Sequence, residues 1–255
     1  MVKELVLLIK SNLKTFISII LLTILGVGFY VGMKVSVVDL KKTVDDYYEK
    51  NNVYDIVLSS PLGFLEDDFI ELNKIKEIVS IEKANISDGI INKGNSSYVV
   101  RLHSYNEDNT INKLEVIKGN LPNSDDEIVL EDKLFKKMKY KIGDYISIDN
   151  DYLKNNKLKI DGVIKSPLYL SNDKGQSNLL SGKVNYYAYI YHSNFNKDKY
   201  SDYYIKLKNN TKLDDVVSEV KEIISNTFEV KYASTISEYT NTLSEKEKHK
   251  HLLRS

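Results

Sequence analysis

Hydrophobic and polar positions divide this chain into two unequal regimes. From Thr15 to Met33 a run of 19 residues carries no charge, and more than 200 residues of mixed, patterned sequence follow. As an α-helix the run spans about 28 Å, the depth of a bilayer's hydrocarbon core. It is longer than the apolar core of a secretory signal, and Phe29-Tyr30-Val31-Gly32-Met33-Lys34-Val35 offers no A-x-A cleavage pattern. The pattern predicts an uncleaved transmembrane helix over 15–38. Lys3, Lys10 and Lys14 precede it. The positive-inside rule then places residues 1–14 in the cytoplasm and the main domain outside, in a single-pass chain at the cell membrane.

Those first residues admit two readings. Lys3, Lys10 and Lys14 fall on one helical stripe, and Leu5, Leu8, Ile9 and Leu13 fill much of the rest. Such a segment lies in the inner interface as an amphipathic helix, or it simply extends the spanning helix. Within the span, Gly28-Phe29-Tyr30-Val31-Gly32 is a GxxxG, with Gly26 two residues earlier. Small residues four apart let another helix approach closely in lipid, so Gly28 and Gly32 are the candidate helix-packing positions.

Past the span, Val37, Leu40, Val44 and Tyr47 recur at helical intervals, among charged Asp39, Lys41, Lys42, Asp45 and Asp46. No proline or glycine interrupts 33–52, so the spacing predicts a stalk helix over 39–52 that is continuous with the span and stiff enough to transmit displacement. Shorter patterns follow. Val53–Ser59, Ile78–Ala84, Gly89–Lys93, Tyr98–Ser104, Lys113–Lys118, Glu127–Leu130, Tyr145–Asp149, Lys157–Lys165, Tyr186–Tyr191, Asp202–Leu207 and Glu229–Ala233 read as strands. Glu66–Lys76, Glu131–Met138 and Leu213–Phe228 read as helices. Two strand–helix–strand units, Val53–Ala84 and Asp202–Ala233, therefore bracket a β-rich insert in an α+β fold. Residues 237–255 are a polar tail or the start of a further helix.

Composition narrows the function classes. With 42% hydrophobic residues the chain can bury a core even after the span is set aside. Basic and acidic residues balance at 36 each, and setting aside Lys3, Glu4, Lys10, Lys14 and Lys34 leaves 32 against 35. No basic stripe points to nucleic acid. There is no cysteine, which removes disulfides, thiolate metal sites and cysteine nucleophiles.

Catalytic motifs are missing or broken. The stretch Gly175 to Gly182-Lys183 has two residues too many for a P-loop and no following Ser or Thr. His103 lacks an H-E-x-x-H setting, His249 and His251 sit in a lysine-rich tail, and no G-x-S-x-G occurs. Asp149-Asn150-Asp151 opens like a calcium loop, but Leu153 and Lys154 occupy the next ligand and glycine positions. Glu66, Asp67, Asp68 and Glu71 are explained by the positive end of a helix dipole. Tyr187, Tyr189 and Tyr191 share one strand face. That face suits stacking on glycans, a protein interface, or simply a half-buried strand. No catalytic, cofactor or metal residue is expected.

One further run is more specific. Leu114-Glu-Val-Ile-Lys-Gly119-Asn-Leu-Pro122, then Asp126-Glu127-Ile-Val-Leu130, Lys133-Leu134 and Lys141-Ile-Gly143-Asp144-Tyr-Ile146 resembles the FtsX-like, MacB-type ABC-transporter permease family. Gly119 and Pro122 make a turn, Glu127 opens a strand, and Gly143-Asp144 turn into the next. Val163 to Leu170, with Pro167, and the later Gly182 look like the large permeases of this family in Firmicutes. The resemblance covers about residues 2–239. It implies an extracytoplasmic domain over 53–236, with a porter-like α/β part from 53–105 and 185–236 and a β-rich insert at 106–184. It also implies a non-catalytic permease subunit served by a separate ABC ATPase. The partners it implies are the bilayer, further permease spans or a second permease copy, and an extracytoplasmic protein or peptide. Family permeases carry three or more further spans, so this chain resembles the first segment of one. The alternative is a single-span anchored binding or sensor domain that acts without an ATPase.

Overall fold

The computed structural model describes residues 11–224 and 229–232. Lys3 and Lys10, with their apolar neighbours, and the tail at 237–255 lie outside the described residues. The chain divides into two units, one holding the first helix as far as Asp46, the other Tyr47–Ser234.

Helix α1 runs unbroken over Leu13–Lys50, so the expected span and stalk are one element, about 57 Å long at 1.5 Å per residue. Among the described residues it is the one helix long and apolar enough to cross a membrane. Leu22, Leu25 and Phe29 are 68–71% exposed, as befits side chains meant for lipid. The hydroxyls of Ser18 and Thr23 donate to the carbonyls of Lys14 and Ile19, which satisfies them without water.

The second unit contains two sheets. The smaller is antiparallel in the order β11 (Glu229–Tyr232), β1 (Ile56–Ser59), β10 (Asp202–Leu207), β2 (Ile78–Ala84). Its central strands β1 and β10 are buried on both faces, which explains their near-continuous apolar runs. Ile56, Leu58, Tyr203, Ile205 and Leu207 face helices α2 (Glu66–Leu72) and α4 (Leu213–Ile223), meeting Phe69, Leu72, Val216, Val217 and Val220. Val57 and Tyr204 point the other way, toward Ile111 and Leu168. Sequence spacing extended α4 to Phe228, whereas the described helix closes at Ile223.

The larger sheet has seven strands: β3 (Ile86–Lys93), β4 (Ser96–Tyr105), β9 (Tyr186–Tyr191), β6 (Glu127–Glu131) and β8 (Lys157–Lys165) in that order, followed by β5 (Glu115–Gly119). β7 (Tyr145–Ser147) pairs the first half of β8, while β5 pairs its second half. Beyond β7, Ile90 and Asp149 exchange backbone hydrogen bonds of 3.0 and 2.8 Å. That bridge joins β3 to the far side of the sheet and closes it into a barrel. Ile91, Leu102, Leu130, Ile146, Leu158 and Ile190 fill the interior, together with Leu134 and Met138 from α3 (Asp132–Met138).

The family resemblance grouped 53–105 and 185–236 with the porter-like part. In the structure β3, β4 and β9 are hydrogen-bonded into the larger sheet, and the strands of the smaller sheet, among the described residues, lie within 56–84 and 202–232. The cause is pairing. β4 and β9 form a parallel ladder from Val100–Tyr186 to Tyr105–Tyr191, which brings both into the barrel.

Candidate functional site

A cavity of about 1050 Å3 lies between the two sheets. Val57, Ser59, Asp202 and Tyr204 line it from the smaller sheet, and Asp88, Arg101 and His103 from the larger. Leu168, Tyr169 and Lys174 come from the long connection after β8. Its volume is that of a small-molecule site, although its walls are unusually polar for one.

The polar wall begins as a cross-strand pair. Asp88 and Arg101 face one another in the β3–β4 hairpin, and the guanidinium forks onto both carboxylate oxygens at 2.8 and 2.9 Å. Arg101 also donates to the carbonyls of Lys174 and Gln176, at 3.2 and 2.7 Å. These bonds fasten the long connection against β4. Lys174 Nζ in turn lies 3.3 Å from Glu131 Oε1, with both side chains almost fully buried. Burial raises the Glu131 carboxyl above its usual range, and the neighbouring lysine opposes this.

An aromatic layer separates this network from the barrel. His103 stacks on Tyr189 at 4.8 Å, and its Nε2 is hydrogen-bonded to the Tyr169 hydroxyl at 2.6 Å. Tyr169 in turn stacks on Tyr187 at 4.3 Å. Burial drives the His103 imidazole down to about 3, helped by nearby Arg101, so it is neutral at physiological pH. Tyr189 shares a 2.7 Å hydrogen bond with Ser166, whose amide donates to the Tyr187 hydroxyl. Tyr187 and Tyr189 are thus interior groups and not an exposed platform for glycans or proteins. β9 is a central strand, and Ala188 and Ile190 fill the barrel on its opposite face. Tyr191, at the strand end, is half-buried and donates to Glu107.

The motif residues make the scaffold around this site. Gly119 has φ +75°, and a Cβ there would sit 2.1 Å from the Asp161 carbonyl oxygen. Only glycine fits that approach of β5 to β8. Pro122 is buried beside it, and Glu127 accepts the Asn123 amide at 3.0 Å. Gly143, at φ +92°, donates to the Ile160 carbonyl, and Asp144 accepts the Lys141 amide at 2.8 Å. Pro167 is buried at the exit of β8, and Gly182, at φ +77°, closes a small loop onto Ser177. None of these seven lines the cavity. On α1, among the described residues, nothing comes within 4 Å of where a Cβ on Gly28 or Gly32 would lie; Val37 and Leu40 are exposed, and Val44 and Tyr47 are half-buried.

Two motif fragments make local bonds. Asn150 donates to Ser87 Oγ and the Asp88 carbonyl and accepts the Tyr152 amide, so the Asp149–Asp151 segment is a capped turn. Asp68 accepts the Leu65 amide at 2.8 Å, and Glu66 pairs with Lys83.

Sequence reasoning passed over Asp88, Arg101, Glu131 and Lys174. For the first pair a signal existed, because Asp88 and Arg101 are equidistant from the Gly94-Asn95 turn and so must face each other in a hairpin. The second pair joins a strand end to a loop distant in sequence and left no local trace.

Comparison with known proteins gives a family. The model of the MacB-like periplasmic core domain matches residues 15–223. No curated protein matches the chain. Among solved structures, the extracellular domain of the noncanonic ABC-type transporter YknZ from Gram-positive bacteria is 14% identical, with 71% of this chain and 99% of that one covered and a TM-score of 0.46. The periplasmic region of MacB from Actinobacillus actinomycetemcomitans is 13% identical over 78% of this chain and 98% of that one, with a TM-score of 0.49. A domain of a putative permease protein from Porphyromonas gingivalis is 12% identical over 71% and 89%, with a TM-score of 0.42.

Proposed function

Because the chain belongs to the MacB-like periplasmic core domain family, we propose that it is the N-terminal segment of an ABC-transporter permease subunit, working with a separate ATPase. The carrying observation is the extent of the match, which begins at Thr15 within the apolar run of α1 and continues to Ile223. Helix and domain thus belong to one family unit. Lys14 and the lysines before it favour a cytoplasmic N-terminus, with Tyr47–Ser234 outside the cell.

In this reading the chain performs no covalent chemistry. Nucleotide-driven closure of the ATPase displaces α1, and the helix passes that displacement to the exported domain, for export or for mechanical signalling to another protein. The open faces of Gly28 and Gly32 are where further permease spans or a second permease copy pack. Recovery of the chain from gently solubilised native membranes, with mass spectrometry of what accompanies it, is the test. An ABC ATPase and a polypeptide with additional spans are expected. A chain recovered alone, or with exported proteins only, overturns the transporter reading in favour of an anchored binding or sensor domain. The polar cavity between the sheets is the observation that supports this second reading.

A further inference from the structure

The cavity between the sheets is lined by two kinds of polar group, which differ in how they are engaged. Each charged side chain on its walls has a partner: Asp88 has Arg101, Lys174 has Glu131, and the Asp202 carboxylate accepts from the hydroxyls of Ser59 and Ser201. The neutral groups differ. The hydroxyls of Tyr54 and Tyr204, and the His103 Nδ1 opposite the nitrogen that meets Tyr169, have no hydrogen-bond partner among the described residues. They are not sealed either. Among the described residues Asn112 Nδ2 is the one unpaired side-chain polar atom that solvent does not reach. The two hydroxyls and the imidazole nitrogen are therefore reachable. With His103 3% and Tyr204 8% exposed, that access runs through the space their rings border. Both residues also border an adjoining cavity of about 250 Å3, but the Tyr204 hydroxyl senses Asp202, Tyr169 and Tyr54, all on the walls of the larger one. Burial raises the Tyr54 and Tyr204 phenols above their usual range, so both keep their protons, and His103 is neutral as well.

We propose that this cavity binds a neutral saccharide, whose hydroxyl groups meet Tyr54, Tyr204 and His103. Charge sets the class. A charged ligand would have to displace an ion pair or a carboxylate already held by two hydroxyls, and breaking a buried pair is costly. A neutral ligand takes only the open groups, each of which can exchange a hydrogen bond with a sugar hydroxyl. Ring geometry agrees. Tyr54 and Tyr204 lie 5.3 Å apart with their planes tilted by 38°, which offers aromatic surface to the C–H face of a sugar ring beside the two hydroxyls. Volume sets the size. About 150 Å3 holds one six-membered ring, so about 1050 Å3 has room for a disaccharide and the water around it. The walls come from both sheets, so an occupant bridges Tyr204 on β10 and His103 on β4. The inference goes beyond both readings of function above, since it concerns binding by this chain alone. The companions recovered from membranes decide between those readings, and a titration decides this one.

The test is calorimetric titration of the full chain, in a detergent without a sugar headgroup, with cellobiose, with di-N-acetylchitobiose and with glucuronate. At least one of the two neutral disaccharides is expected to bind, and more tightly than glucuronate. Tyr54→Phe and Tyr204→Phe remove one hydroxyl each and keep the rings. Each should weaken that disaccharide about fivefold to tenfold, the worth of one hydrogen bond. Neither hydroxyl bonds to the described protein, so the urea midpoints of both variants should not fall. A midpoint that holds while affinity drops separates a ligand contact from a structural role. The imidazole resonances of His103 should shift on binding in the wild-type chain. A chain that binds neither disaccharide overturns the proposal. So does undiminished binding by the Tyr54→Phe, Tyr204→Phe double variant, which would place the sugar elsewhere. Glucuronate binding tightest overturns the neutral class and assigns the cavity to anions held by Arg101.

Discussion

Lys174 and Glu131 form an ion pair of 3.3 Å in which each side chain is about 5% exposed, between the loop after β8 and the last residue of β6. The two ions solvate each other where water does not reach. Lys174→Met leaves a buried carboxylate and should cost about 3–5 kcal/mol in denaturant unfolding. Adding Glu131→Gln should restore most of that, since the amide oxygen still accepts the Tyr187 amide. Without the lysine, burial holds the Glu131 pKa above its unfolded value with less opposition. A raised carboxyl contributes stability below the unfolded pKa and loses it as pH rises through the folded one. The gap between Lys174→Met and wild type should therefore narrow on acidification.

His103 predicts the opposite slope in the wild-type protein. Its folded pKa is about 3 against an ordinary 6.5, because it is buried between Tyr169 and Tyr189 and lies near Arg101. The unfolded chain binds the proton first, so stability should fall as pH drops from about 6.5 toward 3, by up to about 1.4 kcal/mol per unit. His103→Gln should flatten that limb while lowering stability at neutral pH. Urea midpoints across the range measure both effects.

Two motif glycines separate a steric requirement from a conformational one. At Gly143 a methyl group meets nothing within 4 Å among the described residues, so Gly143→Ala costs what its left-handed backbone costs, about 1–2 kcal/mol. At Gly119 the added carbon collides with the Asp161 carbonyl. Gly119→Ala should lower stability well beyond the Gly143 variant and separate β5 from β8, visible as loss of amide protection over Gly162–Lys165.

A Gly-Pro insertion after Val44 interrupts α1 within its charged half, where proline removes a hydrogen bond and breaks the helix. Substrate-dependent ATPase stimulation in the reconstituted transporter should disappear. Hydrogen exchange over Ile56–Leu207 should stay unchanged. Full stimulation in the insertion variant is the result that defeats the relay.

Local pattern carried most of the elements. Lys157–Lys165, Tyr186–Tyr191 and Asp202–Leu207 coincide with β8, β9 and β10, because apolar period and turn residues mark strands directly. Partnership is another matter. Nothing within Tyr186–Tyr191 announces that it pairs in parallel with a strand some eighty residues earlier, so sheet membership of β3, β4 and β9 was invisible. The tyrosines illustrate the same limit, since a strand buried on both faces looks like an amphipathic one when one face is aromatic. The contact of Asn112 with the end of α1 was illegible for a different reason. Asn112 sits outside any strand, in a loop shaped by contacts to Asn51 and Asn52, and polar loop residues carry no periodic signal.

The closing turn of α1 has a mechanical consequence. The Val53 amide donates to the Tyr48 carbonyl and the Asn52 amide to Glu49, with Asn52 at φ +47°, a Schellman closure with asparagine in glycine's place. Asn52 Nδ2 then donates to Thr110, and its carbonyl accepts from Asn112. Asn51 and Asn52 thus tie the helix end to the segment Thr110–Lys113 by several bonds from two adjacent residues. In the relay proposed above, displacement of this last turn would therefore reach Thr110–Lys113 directly, through bonds made by the two residues that close the helix.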